Sequence, residues 1–351
     1  LTKKDLYGLF AEEIAEAVAV HGIEKYRGRQ IAEWMYQRRV HDFAAMTNLS
    51  KAQREVLADR FDLGKVSLAA REQAANGQTS KLLLTLSDGL TVETVLMRHR
   101  YGNSVCVSSQ VGCGMGCVFC ASTLQGLARN LTAGEILSQV LFVSELLAQE
   151  NASVNSIVIM GSGEPLANYD NVLRFIRLCH ESYCLNLGYR SFVLSTAGLV
   201  PGIDRLAAED LPITLAVSLH APNNALRSQI MPINDKYPLA EVLAAADRYA
   251  ASTGRRVTYE YTLIDDLNDG DKYARELAAL LKGRLANLNL IPVNPVPERG
   301  MLRPDPARIA RFLEVLRAGH INATVRREMG TDIRAACGQL RQAVLSGESD
   351  R

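Results

Sequence analysis

No apolar run in this chain approaches the roughly eighteen residues that a membrane-spanning helix needs. The opening LTKKDLYGLF also lacks the charged start and unbroken apolar stretch of a secretory signal, so a cytoplasmic protein without a membrane partner is expected. Because it begins at Leu1 rather than Met, the chain is expected to be a trimmed form. Charge of one sign is missing as well: 39 Lys and Arg face 38 Asp and Glu, a formal net charge of +1. That excludes a global basic field, and any nucleic-acid site must be a local patch. Cysteine is scarce at seven residues in 351, too few for a disulfide scaffold.

What is present is an ordinary globular composition. Hydrophobic residues make up 48% and charged residues 22%, with 25 Gly and 11 Pro, which excludes disordered, collagen-like and coiled-coil classes. At about 100–200 residues per domain, the length suggests two domains, one large enough for a full α/β core. Four of the seven cysteines fall between Cys106 and Cys120, a clustering that points to thiol chemistry.

Residues 8–20 and 27–39 carry helical apolar spacing, and a third helix is expected over 50–60 with Ser50 as its cap. These define a small helical domain over 1–79. The pattern then turns to alternation in KLLLTLSDGLTVETVLMR, a linking hairpin over 80–103 hinged on Ser87, Asp88 and Gly89. Six strand candidates follow, at 104–109, 156–160, 191–196, 213–219, 256–264 and 287–293. Helical runs between them begin near Thr132, where Glu135 completes a capping-box spacing, and near Asn168, Pro201, Pro238, Gly270 and Asp305. Six βα units with right-handed crossovers imply an α/β fold with an open, partial (β/α)6 barrel over 104–345, leaving 346–351 as a tail.

The strongest chemical signal is Cys113, Cys117 and Cys120 in CGMGCVFC, expected at the carboxyl end of the first barrel strand. Thiolates at this density select Zn or an iron–sulfur cluster, and Gly112, Gly114 and Gly116 are expected to let the backbone wrap closely. Zn sites usually pair two such arms, and no second arm follows, whereas three cysteines on a 4Fe–4S cube leave one iron open to a substrate or cofactor. The alternatives are a structural Zn loop or an electron-transfer cluster with its fourth ligand elsewhere. The C-x3-C-x2-C spacing resembles the signature of radical S-adenosylmethionine (SAM) enzymes, and that resemblance implies partial barrels whose open iron chelates SAM.

Further polar residues recur at strand ends: Gly163 and Glu164 after the second strand, Ser195 after the third, Ser218, Leu219 and His220 after the fourth, Asn294 after the sixth. Each alone reads equally well as a turn or cap, but all lie on the rim where parallel barrels carry their active sites. Cys106 shares a strand face with Ser104 and Ser108 and reads as either buried or reactive; Cys337 lies in a Gly-containing loop and reads as either reactive or core. Cys179 and Cys184 read as core residues. Glu93 interrupts an apolar strand; its ordinary reading is the solvated face, and periodicity does not decide it.

The runs CVSSQVGCGMGCVFCASTLQGLARNL, GEPLANYDNV, SLHAPNNALRSQIMPIN and AACGQL resemble the RlmN/Cfr family of dual-cysteine radical SAM RNA methyltransferases, nearly from end to end. VNPVPERG and RREMGTDIRAACGQL are more similar to members that methylate C2 of adenosine than to those that methylate C8. The resemblance implies adenosine 2503 of 23S rRNA as substrate, with adenosine 37 of tRNA as a second. It implies a 4Fe–4S cluster on Cys113, Cys117 and Cys120, two SAM per turnover, and a low-potential reductant such as flavodoxin or ferredoxin. It further implies SAM contacts at Gly163, Glu164, Ser195, Ser218, Leu219, His220 and Asn294. Cys337 would carry a methyl group, Cys106 would release the product through a transient disulfide with Cys337, and Glu93 would accept the C2 proton. Ser162, where the family often has a larger apolar residue, and Arg334, where it usually has an acid, depart from the pattern.

RNA contacts are expected from Lys25, Arg27, Arg29, Arg38 and Arg39, interleaved with Tyr26, Trp34 and Tyr36, over a core of Ile31, Trp34 and Met35. Arg326, Arg327 and Arg334 form a second candidate patch. A monomer is expected. The competing class is a non-enzymatic Fe–S or Zn RNA-binding sensor, for which Cys106 and Cys337 would be dispensable.

Overall fold

The computed structural model describes residues 3–326 apart from Lys65 and Pro295, together with Ile333. The amino-terminal unit runs β1 (Lys4–Asp5), α1 (Ala11–Ala19), α2 (Arg27–Tyr36), α3 (Lys51–Arg60) and β2 (Phe61–Asp62), with β1 and β2 paired in parallel. Helix α1 buries Ala11, Ile14 and Val18, one stripe at helical spacing, against the buried Gly28, Ile31, Ala32 and Met35 of α2. A Cβ on Gly28 would stand 2.6 Å from the Ala15 nitrogen, so the close approach of the two helices needs glycine. Helix α3 starts as expected: Ser50 Oγ accepts from Gln53 N–H and the Gln53 side chain accepts from Ser50 N–H.

The chain then enters one ten-stranded sheet through β3 (Ser67–Gln73), β4 (Thr79–Thr85), β5 (Thr91–His99) and β6 (Gly102–Cys106), all antiparallel. The hairpin therefore continues the barrel sheet, and β3, within the span read as helical, belongs to it too. That strand is an edge whose side chains are mostly exposed, so it carries no apolar alternation to betray it.

A small ribbon of β7 (Gln110–Gly112) and β8 (Leu127–Asn130) comes next, then α4 (Ala133–Ala148), capped by Thr132 and Glu135. The repeat continues as β9 (Val154–Ile159), α5 (Tyr169–His180), β10 (Phe192–Thr196), α6 (Val200–Ala208), β11 (Thr214–Ser218), α7 (Asn224–Ile230), α8 (Leu239–Thr253) and β12 (Val257–Leu263). It ends with α9 (Asp271–Leu281), β13 (Ala286–Pro292), α10 (Pro306–Ala318) and β14 (Ala323–Val325). Strand order is β14-β13-β12-β11-β10-β9-β6-β5-β4-β3, parallel from β6 to β14. All six expected parallel strands form, and β14 adds a short seventh. Helix α7 was not foreseen, since two turns are too short to display a period.

One face of the parallel strands is apolar and covered by helices: Phe192 meets Phe175 of α5 and Tyr261 meets Phe312 of α10. The register puts Ser104, Cys106, Ser156, Val158, Ser195, Ser218, Glu260 and Asn289 together on the opposite, concave face. Among the described residues no helix is long and apolar enough to cross a membrane.

Candidate active site

The cysteine loop does not spring directly from the first parallel strand, as the sequence suggests. Strand β6 ends at Cys106, and the ribbon β7–β8 then clamps both ends of the loop, with Cys113 N–H donating to the Gly126 carbonyl at 3.0 Å. Gly112 and Gly116 have φ of 76° and 72°, where a side chain is strained. Gly114 is not required by geometry, because a Cβ there would make ordinary contact with Leu127 at 3.6 Å. The loop sits on α7: Val118 N–H donates to the Ile230 carbonyl, and Cys117 packs with Ala197, Ala221, Leu226, Ile230 and Met231.

Burial pushes all three thiols up, and Cys117 is raised further by the charge of Cys120 and Cys113. Donors already point at the sulfurs: Cys113 accepts from the Met115 and Gly163 N–H groups, and Cys120 from the Ser122 and Thr123 N–H groups. Three buried sulfurs that repel one another as thiolates, yet receive backbone N–H bonds, suit a cationic iron core that replaces their protons. Among the described residues no three His, Cys, Asp or Glu side chains form a site for a single metal ion. A cube spreads its cysteines over different irons, so the donor set fits a cluster better than Zn.

Residues 161–164 lie against the strand leading into this loop. Gly163 has φ 106°, and a Cβ on it would stand 2.5 Å from that of Gln110. Gln110 in turn accepts from Glu164 N–H at 2.8 Å and donates to Asn130. Ser162 is buried, its N–H donating to Ser108 Oγ at 3.0 Å. The Glu164 carboxyl is raised to about 7 by burial, an effect opposed by N–H donors from Ala197 and Leu166 and by the Thr196 hydroxyl.

At the next strand ends, Leu219 and His220 N–H both donate to the Glu260 carbonyl, at 3.0 and 3.2 Å. His220 adopts φ 57°, and its Nδ1 accepts from Thr262 N–H at 2.9 Å, which assigns the ring proton to Nε2. Burial, then the charge of Arg227, lowers its pKa to about 3, and Phe119 of the cysteine loop meets the ring edge-on at 4.7 Å. Ser195 and Ser218 end neighbouring strands on the concave face; Asn294 lies exposed just beyond β13.

Sequence reasoning missed Arg227, which reads as a surface residue of a polar stretch. It is fully buried and donates to the carbonyls of Ala197, Ser218, Leu219 and Tyr237 and to Asn234 Oδ1, tying two rim loops together. Burial lowers it to about 10, and Cys117 draws it back up.

Glu93 does not occupy a solvated face. It is 6% exposed and pairs at 3.1 Å with Lys81, itself 1% exposed. Both faces of β5 are covered there, which explains why period-two alternation could not decide. Val95 is in register with Lys81 on one side and Cys106 on the other, so Lys81, Glu93 and Cys106 share one face. Cys106 is partly exposed, whereas Cys179 and Cys184 are buried in the core. Cys337, Arg327 and Arg334 lie outside the described residues.

In the amino-terminal unit, Tyr26 is 60% exposed and Arg38 stacks on Trp34 at 4.0 Å. Tyr36 is fully buried with its hydroxyl on the Leu9 carbonyl, so it belongs to the core rather than to a stacking surface. Lys25 and Arg29 pair with Glu16 and Glu33.

Residues 107–278 match the Radical SAM superfamily, and residues 4–63 match the ribosomal RNA large subunit methyltransferase N-terminal domain. The probable dual-specificity RNA methyltransferase RlmN of Symbiobacterium thermophilum is 53% identical over 97% of this chain and 92% of its own. Its namesake in Staphylococcus epidermidis is 48% identical, over 97% and 93%. The crystal structure of a radical SAM methyltransferase from Sphaerobacter thermophilus superposes with a TM-score of 0.92 at 48% identity, over 96% of this chain and 98% of that one.

Proposed function

The chain belongs to the RlmN family of radical SAM RNA methyltransferases, with SAM and a 4Fe–4S cluster as its cofactors; from that premise we propose that it methylates C2 of adenosine 2503 in 23S rRNA and of adenosine 37 in tRNA. C2 of adenine is an electron-poor amidine carbon that direct polar methyl transfer would not reach. The observation that carries the reading is the shared face of Glu93, Cys106 and the strand ends beside the cysteine loop, which gathers a base and a thiol around one concave surface.

When bound, the cluster and two SAM per turnover supply a methyl group and a 5′-deoxyadenosyl radical, with one electron from a low-potential donor such as flavodoxin or ferredoxin. Cys113, Cys117 and Cys120 would hold the cluster, and Gly163, Glu164, Ser195, Ser218, Leu219, His220 and Asn294 would position SAM beside it. Cys337 carries the methyl group to the adenine, and Glu93, ion-paired with Lys81, accepts the C2 proton. The Cys106 thiolate then attacks the Cys337 sulfur: the S–S bond forms as the bond from that sulfur to the methylene carbon breaks, and the released carbon takes the electron pair and a proton to become the methyl group of the RNA. The protein acts as a cytoplasmic monomer, on an adenine that is unpaired or extruded.

Anaerobic turnover on RNA with deuterium at adenine C2 tests this. Loss of the label with formation of methyladenosine is expected, and Cys106→Ala should accumulate a protein–RNA adduct. Methylated product that keeps the C2 label and loses one at C8 would transfer the assignment to C8. No methylated nucleoside at all would sink the enzyme reading in favour of an RNA-binding sensor.

A further inference from the structure

A polar ladder crosses the concave face and ends on a carboxylate oxygen that receives no donor from the described residues. The register aligns Ser218 of β11, Glu260 of β12, Asn289 of β13 and Thr324 of β14 in one row. The Thr324 hydroxyl donates to Asn289 Oδ1 at 3.2 Å, and Asn289 Nδ2 donates to Glu260 Oε1 at 3.4 Å. This chain fixes which way the Asn289 amide points and leaves Glu260 Oε2 at its far end. Glu260 is 5% exposed, and its Oε2 is buried with no hydrogen-bond partner among the described residues.

A buried acceptor left unpaired is costly, and an ionised one more so. Burial pushes the Glu260 carboxyl up, and the charge of Arg326 at the end of β14, with the Asn289 bond, pulls it back. Arg326 attracts the carboxylate without bonding Oε2. The main-chain carbonyl of Glu260 holds the Leu219 and His220 N–H groups, so Glu260 adjoins the rim residues read as SAM contacts.

We propose that Glu260, oriented by Asn289 and Thr324, binds an N–H or O–H donor of an adenosine group on the concave face. This rests on the reading above, in which two adenosine groups reach this face, that of SAM and that of the target nucleotide. A carboxylate accepts from a ribose hydroxyl or from an exocyclic amine, and the requirement is the same: a donor aimed at Oε2. Glu260→Gln is the diagnostic change because it keeps the volume. With Oε1 still facing the Asn289 N–H, its new Nε2–H2 would occupy the Oε2 position and present a donor to a donor.

Equilibrium binding to folded, cluster-loaded protein under anaerobic conditions reads the effect without turnover. The SAM arm compares SAM with its 2′-deoxy and 3′-deoxy analogues; the RNA arm compares a substrate hairpin carrying adenosine with one carrying purine riboside at the target. In one arm Glu260→Gln should weaken binding about tenfold or more. The analogue lacking the donor should cost the unaltered protein as much, and the variant nothing further. Asn289→Ala, which frees the carboxylate's orientation, should weaken the same arm and keeps the test open if the first variant folds poorly. SAM and RNA affinities both within about twofold of the unaltered protein in folded Glu260→Gln would overturn the proposal. Glu260-dependent SAM binding in a protein that makes no methylated nucleoside would overturn the proposed function and leave this site standing.

Discussion

Single residues carry the sharpest consequences, because several charges here are buried. Lys81 and Glu93 form an ion pair almost wholly out of water, so removing one charge takes away the opposite charge at 3.1 Å that offsets the other's burial. Lys81→Met should destabilise by about 3–5 kcal/mol in denaturant unfolding. Adding Glu93→Gln should restore most of that stability, since a neutral pair of similar volume has no charge to desolvate. A single variant as stable as the parent would mean that water reaches the pair. His220 predicts a pH dependence. Its folded pKa, about 3, lies below the ordinary 6.5, so between those values the unfolded chain holds a proton that the folded one does not. Stability from this group is full above pH 6.5 and is lost as pH falls toward 3, by up to about 5 kcal/mol. His220→Asn retains an acceptor near the Nδ1 position and suits a positive φ. Its melting temperature should therefore fall less than the parent's between pH 7 and pH 4. Parallel losses would show that the imidazole titrates normally.

At the scale of elements, the rim is built where turns replace strands. Residues 161–164 approach 107–110 so closely that Gly163, at φ 106°, has no room for a Cβ. Gly163→Ala should displace Gln110 and the N–H that meets Cys113, lowering iron retained after anaerobic reconstitution while the helical signal persists. Unchanged iron content would mean that the turn relaxes without moving the cysteine loop. What was legible in advance follows the same logic. The six parallel strands announce themselves because β-branched and apolar residues fill them, and caps such as Ser50 and Thr132 mark helix starts by local chemistry. Strand β3 escaped because its side chains face solvent, and α7 because seven residues hold no readable period. Arg227 and Glu260 escaped for a different reason: a charged residue in one sequence looks solvated, and only the packing of distant elements makes it buried.

For the whole molecule, near-neutrality must be reconciled with an RNA substrate. A net charge of +1 provides little long-range attraction, so affinity has to come from where the cations stand. In the amino-terminal unit, Lys25 and Arg29 are engaged by Glu16 and Glu33, whereas Arg38 lies on Trp34 and, like Arg39, enters no ion pair among the described residues. These two arginines, and Arg27, which among the described residues bonds only to Gln30 and the Asn48 carbonyl, have charge to spare for phosphate. Each phosphate contact contributes about 0.7–0.9 to the slope of log K against log salt. The double variant Arg38→Ala and Arg39→Ala should therefore weaken RNA binding and lower that slope by about 1.4–1.8, with SAM affinity unchanged. Lys25→Ala should change the slope little, because Glu16 already offsets its charge. Filter binding of the substrate RNA across a salt series distinguishes the cases: an unchanged slope in the double variant would place the phosphate contacts elsewhere, with Arg326 beside the barrel mouth as the next position to test.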